Sequence, residues 1–173
     1  MKSLKEIRGS FDLTPREGCS RVKYFKTLDI DWDVYLPTRG RNLQRDFVWT
    51  LEQKRELMWS LLTERHIPHC AVINTINQVD EKKDKWLIID GKQRLSTIFD
   101  FVDDKFTIVL EGEEYKFSEL PEDYRSAIIH HEFRYYEITE PWNKRITDDQ
   151  KIQWFKMINF AGTQQELEHL NNL

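Results

Sequence analysis

Cysteine is scarce in this sequence: Cys19 and Cys70 are the only two. They can form at most one bridge, and neither has a CxxC partner or a histidine at zinc-finger spacing. A disulfide scaffold and a structural zinc finger are therefore excluded, and reduced thiols are expected. Glycine (6) and proline (5) are too few for a fibrous or low-complexity chain. No apolar run approaches the ~20 residues that a membrane span needs. The first residues, Met1 to Glu6, contain no apolar signal core, so the expected location is cytoplasmic. Neither sign of charge dominates. Lys and Arg number 26 against 30 Asp and Glu, a net charge of -4, which argues against a protein that simply coats nucleic acid but leaves room for a local basic groove.

What is present suits one folded domain. Of 173 residues, 39% are hydrophobic and 13% aromatic, enough for one sizeable core. Residues 1–26 are polar and mixed, with Gly9, Pro15 and Gly18 as breakers, and read as an N-terminal arm of short helix and loop. Residues 27–173 read as a single domain. Trp32 to Leu36 alternates as a short strand, and residues 38–43 read as a basic loop. Thr50 and Gln53 have capping-box spacing before Leu51, Leu57, Met58, Leu61 and Leu62, which predicts a helix. Cys70 to Ile76 and Trp86 to Ile89 read as strands, the second fully buried. Leu95, Ile98, Phe99 and Val102 recur at helical spacing. A hairpin around Glu111-Gly112-Glu113, a helix over Pro121–His130 and a strand over Phe133–Ile138 follow. Thr147 and Gln150 form a second capping box, opening a helix with Ile152, Phe155, Met157 and Ile158 that Gly162 ends. Helices and strands mix without regular βαβ alternation, so the fold class is α+β: a mixed sheet with packed helices.

Three segments carry the candidate chemistry. In Asp90-Gly91-Lys92-Gln93-Arg94 a glycine joins a buried strand to a helix start, where free N–H groups and the helix dipole attract anions. Gly91 lets a phosphate approach closely, Arg94 offers a planar fork, and Lys92 adds a point charge. Asp90 is poised either to cap the helix or to help hold a magnesium ion beside a nucleotide. The plainer reading is an Asp-Gly turn with Arg94 in a surface ion pair. The second segment, Gln44-Arg45 with Phe47 and Trp49, precedes a capped helix start; alternatively the aromatics are core and Arg45 is solvated. In the third, Asn159, Gly162 and Thr163 either present polar groups to a ligand or form a helix end followed by a new cap.

In this order the segments resemble the N-terminal domain of the GmrSD-type, modification-dependent restriction enzymes, whose fold is similar to ParB and sulfiredoxin. That family's pattern is a Gln-Arg before an aromatic stretch, an Asp-Gly-Gln-Gln-Arg motif after a strand, and an Asn…Gly-Thr segment. Ile67-Pro68 before the next strand also fits, and the resemblance spans about residues 30–170. It implies a stand-alone ParB-like, magnesium-dependent NTPase linked to phage defence and modified-DNA restriction. Asp90 and Arg94 would be catalytic, with Asp90 holding the metal. Gln44, Arg45, Gly91, Lys92, Gln93, Asn159, Gly162 and Thr163 would bind the nucleotide. Lys92 stands where the family usually has glutamine, so binding without turnover is the alternative: a nucleotide- or DNA-binding module acting on a separate nuclease or defence protein. The family's nuclease step belongs to a C-terminal His-Asn-His-type domain. His130-His131 has no following asparagine at nuclease spacing, so nuclease activity is not expected.

Two further features have plain explanations. His66, His69 and His169 lack HExxH-type spacing and read as partly exposed histidines. On a strand, Phe133 and Tyr135 share one face, and Arg134 and Tyr136 the other, which reads as core and surface rather than a base-stacking platform. Arg39-Gly40-Arg41, beside Arg45, is the place where a phosphate-attracting patch is expected.

Overall fold

The structure is a computed structural model and describes residues 13–75, 85–141 and 143–160. The elements in chain order are β1 (Arg16–Arg21), α1 (Val22–Phe25), β2 (Asp29–Asp31), β3 (Tyr35–Leu36), β4 (Arg41–Asn42), α2 (Leu51–Leu62) and β5 (Cys70–Asn74). Then come β6 (Lys85–Asp90), α3 (Lys92–Val102), β7 (Ile108–Leu110), β8 (Glu113–Tyr115), α4 (Glu122–His130), β9 (Glu132–Thr139) and α5 (Asp148–Phe160). Five strands form one mixed sheet in the order β1-β9-β5-β6-β2. β1 runs antiparallel to β9 and β5 antiparallel to β6, while β5–β9 and β2–β6 are parallel. The fold is thus α+β with packed helices, as expected.

Both sheet faces are covered, which is why β5 reads as an unbroken apolar run. On one face α1–α4 bury Phe25, Met58, Leu95, Ile98 and Phe101 against Val72 and Ile88. On the other, α5 and the β3–β4 hairpin bury Ile152, Trp154, Leu36 and Leu43 against Ala71, Ile73 and Ile89. Among the described residues no helix is long and apolar enough to cross a membrane.

The helix signals hold where they rest on caps. The Thr50 hydroxyl accepts from the Gln53 N–H, and the Gln53 side-chain Oε1 accepts from the Thr50 N–H at 2.9 Å. Thr147 and Gln150 repeat the exchange at the start of α5. Three details differ. The supposed loop after residue 15 contains β1, and Val22 and Phe25 beyond it are buried. The strand was hidden by its charged outer positions, and Gly18 lets the Tyr135 ring lie across it: a Cβ there would sit 2.5 Å from that ring. Next, the supposed basic loop 38–43 folds back as a hairpin, pairing Leu36 with Arg41. Last, Met157, read as an apolar position of the final helix, is exposed, while Trp154 is buried. The face assignment along β9 holds: Phe133 and Tyr135 are buried, Arg134 and Tyr136 exposed. Gly162 and the last turn lie outside the described residues.

Asp148 ties the β3–β4 hairpin to α5. Its Oδ2 accepts from the Thr38 N–H (2.9 Å) and hydroxyl (2.8 Å), and its Oδ1 from the Lys151 ammonium at 3.2 Å. Burial alone would raise its pKa, but the Thr38 bonds and Lys151 outweigh it and the carboxyl is held below its ordinary value. Asp148→Ala is expected to destabilise by about 2 kcal/mol, the range for a hydrogen-bonded charge. Because the folded pKa is depressed, that contribution is complete above the unfolded carboxyl's pKa. It disappears as pH falls through the lower folded value. Urea midpoints of both proteins should therefore converge on acidification, and parallel curves would contradict the assignment.

Candidate functional site

One cavity collects the first two candidate segments. Gln44, Arg45, Trp49, Asp90, Gly91, Lys92, Gln93, Arg94 and Phe155 line it. Its volume is 90 Å³, small beside the ~300–1,000 Å³ of clefts that enclose whole small-molecule ligands. Its floor is the junction between β6 and α3.

Gly91 is the N-cap of α3 at φ 98°, and no side chain caps the helix there. The first-turn amides of α3 are thus free of the usual capping oxygen. Of the two roles foreseen for Asp90, capping is not the one adopted. Its Oδ2 instead accepts from Arg94 Nη2 at 2.8 Å across one helical turn, with both side chains 18% exposed. The same Nη2 donates to the His69 carbonyl at 3.1 Å. Arg94 Nε is buried without a partner among the described residues. Burial disfavours the charged guanidinium, but neighbouring Cys70 and Asp90 outweigh it, and Arg94 titrates above its ordinary value. Burial pushes the Cys70 thiol up to about 11, so it is uncharged at neutral pH and Asp90 supplies the attraction. Arg94 is therefore an aimed, permanently charged group rather than a surface ion-pair partner.

Glycine at position 91 has a cause that precedes any ligand. A Cβ there would meet Cys70 Sγ at 2.4 Å and Cys70 Cβ at 2.9 Å, on a backbone that L residues rarely adopt. The buried Cys70, expected from the sequence only as a reduced thiol, is thus the wall that sets the turn.

Among the described residues, the others are supports, with Arg45 apart from them. Gln44 Nε2 donates to the Ile88 carbonyl at 2.9 Å and to the Ile89 carbonyl. Its N–H donates to the Asp33 carbonyl at 3.2 Å. That carbonyl belongs to a turn in which Asp31 Oδ1 accepts from Asp33 N–H and Val34 N–H, holding buried Val34 at φ 52°. Gln93 clamps the second segment to α3: Oε1 accepts from Val48 N–H at 3.1 Å, and Nε2 donates to the Asp46 carbonyl at 3.0 Å. Lys92 Nζ pairs with Asp33 Oδ1 at 2.6 Å. Gln44, Lys92 and Gln93 line the cavity, but their polar ends already hold protein groups. Arg45 is exposed and makes no ion pair among the described residues.

The expected basic patch is partly neutralised. Arg39 pairs with Asp149 at 2.8 Å, because the acidic first turn of α5 lies against the hairpin. Neither Arg39 nor Arg41 lines the cavity. Among the described residues of α5, Phe155, ahead of the third segment, lines the cavity. Asn159, one turn on, is buried and donates Nδ2 to the Phe155 carbonyl at 2.8 Å. Gly162 and Thr163 lie outside the described residues. Phe155 was visible in the sequence only as a helical apolar position, which says nothing of what it faces.

No group of three His, Cys, Asp or Glu side chains able to hold a metal occurs among the described residues. Asp90 offers one carboxylate, with Oδ2 already on Arg94. That fits magnesium only as it usually binds nucleotides, through one or two carboxylates with phosphate oxygens and water completing its shell.

A family model described as GmrSD restriction endonuclease, N-terminal domain, matches residues 34–172. Comparisons with curated proteins and with solved structures give no match.

Proposed function

Because the chain belongs to the GmrSD restriction endonuclease N-terminal domain family, and is thereby associated with restriction, we propose that its cavity binds the phosphate end of a nucleoside triphosphate and hydrolyses it in the service of phage defence. One observation carries this reading. Arg45 and Arg94, remote in sequence, line the same small cavity as an uncapped helix start.

The residues divide the work by their geometry. The α3 amides and Arg94 receive phosphate oxygens, with Arg94 aimed by Asp90 and the His69 carbonyl. Arg45, exposed and without an ion pair among the described residues, closes over the anion from solvent. The cavity volume suits a phosphoryl group and leaves the nucleoside outside, so base selectivity rests on whatever lies beyond the rim. Asp90 has one oxygen on Arg94 and the other to orient water or a magnesium ion; the ion, when bound with the nucleotide, would screen phosphate charge.

A second reading is a nucleotide- or DNA-binding module without turnover. The Lys92–Asp33 pair favours it, because the ammonium at that position is already engaged by a carboxylate. Calorimetry with each of the four triphosphates and with duplex DNA, alongside phosphate release with magnesium, separates the two. Triphosphate binding with release that drops at least ~100-fold in Asp90→Ala supports the enzyme. Binding of nucleotide or DNA without release supports the module. Absence of any binding removes both.

A further inference from the structure

On the side of α2 away from the sheet, two adjoining hollows of 280 and 400 Å³ share Trp59 and Leu110 in their walls. α2 turns Leu57, Met58 and Leu61 to the core and leaves Trp59 44% exposed. Val109 on β7 is 43% exposed and Tyr124 on α4 39% exposed. Large apolar side chains gathered in one concave strip are a common mark of a protein-binding surface.

The charge around the strip is predominantly negative, although Glu56 faces Arg65 at 3.5 Å in an exposed pair. Glu52, Glu56 and Glu111 line the hollows, and Arg55 is the basic residue among them. Arg55 is already occupied: its guanidinium donates to Glu114 at 2.8 Å and to the Thr107 carbonyl and hydroxyl at 2.9 Å each. Hydrogen bonds from Thr107 and Arg55 hold the Glu114 carboxyl below its ordinary value, so it stays ionised. Phosphate-rich partners, whether nucleic acid or an anionic membrane, would be repelled. A symmetric contact with a second copy would set these carboxylates against themselves.

We propose that the groove between α2, the β7–β8 hairpin and the start of α4 docks a protein segment whose apolar anchors are flanked by lysine or arginine. Trp59 and Val109 supply the apolar contact, and the glutamates select the sign of the flanks. This surface shares no lining residue with the Arg45–Arg94 cavity, so its occupancy does not depend on nucleotide chemistry.

The test titrates the isotope-labelled protein with a synthetic amphipathic peptide of Leu, Trp and Lys, and with the same peptide carrying Glu in place of Lys. Amide shifts should cluster on α2, the hairpin and the start of α4. The Lys peptide should bind at least tenfold more tightly than the Glu peptide. Trp59→Ser and Val109→Lys should each weaken it at least tenfold without lowering the unfolding temperature. Glu56→Lys combined with Glu111→Lys should reverse the preference. Equal binding of both peptides, indifference to Trp59→Ser and Val109→Lys, or shifts mapping to the Arg45–Arg94 cavity would each overturn the proposal. So would self-association of the protein alone that Trp59→Ser abolishes, since a second copy would then be the occupant.

Discussion

Arg94→Ala is expected to lower phosphate release at least ~100-fold, the usual cost of removing a preorganised charge-stabilising donor. It is also expected to destabilise the fold by about 2–3 kcal/mol. That sits at or below the ~3–5 kcal/mol of a fully buried broken pair, because Asp90 keeps 18% of its side chain in solvent. Two things are lost together: the partner of Asp90 Oδ2 and the donor to the His69 carbonyl. A double mutant separates structure from chemistry. Asp90→Asn in the Arg94→Ala background removes the stranded charge and should recover much of the stability, with no recovery of turnover. Arg94→Lys keeps the charge and loses the fork, and should restore little of the rate. Turnover in Arg94→Ala equal to wild type would show that the reaction, if present, takes place elsewhere.

The second large effect belongs to a residue with no side chain. Gly91→Ala should cost about 2–5 kcal/mol in denaturant unfolding. About 1–2 kcal/mol arises from the left-handed backbone at φ 98°. The rest comes from forcing a methyl group to 2.4 Å from Cys70 Sγ. Adding Cys70→Ala removes the sulfur but not the Cβ at 2.9 Å or the backbone strain, so rescue should be partial. A stability for Gly91→Ala within 0.5 kcal/mol of wild type, the scatter of ordinary surface substitutions, would mean that the turn relaxes freely. In that case the close contact with Cys70 does not hold α3 in place. Because α3 opens at the cavity, the same variant should weaken triphosphate binding even where enough folded protein survives to measure it.

Both predictions concern a junction that could be read from the sequence. The run from Trp86 to Ile89 ended by Asp90-Gly91, followed by Leu95 and Ile98 at helical spacing, admits little besides strand, turn and helix. The capping pairs Thr50–Gln53 and Thr147–Gln150 were equally legible, since each acts within a single turn. The strand at 16–21 was not: its apolar contacts come from Tyr135, far along the chain, and half of its own residues are charged. The segment from Gln44 to Trp49 read either as a place where anions can settle or as core aromatics beside a solvated Arg45. Its position opposite Arg94 follows from Gln93, whose amide holds the backbone at Asp46 and Val48.

The roles of individual polar residues were the least legible. Lys92, Gln93 and Gln44 all read as phosphate ligands; they line the cavity, and each also holds another part of the protein, which the sequence did not show. Arg39 read as part of a basic patch, and the acidic start of α5 neutralises it. By itself the sequence determined the family, the α+β class, the capped helices and the glycine turn, because these rest on motif order and on interactions a few residues long. Only the tertiary structure decided which cations remain free to meet an anion, because ion pairing depends on what the chain's crossings bring within about 3 Å, and side chains of the same type end up paired or free accordingly.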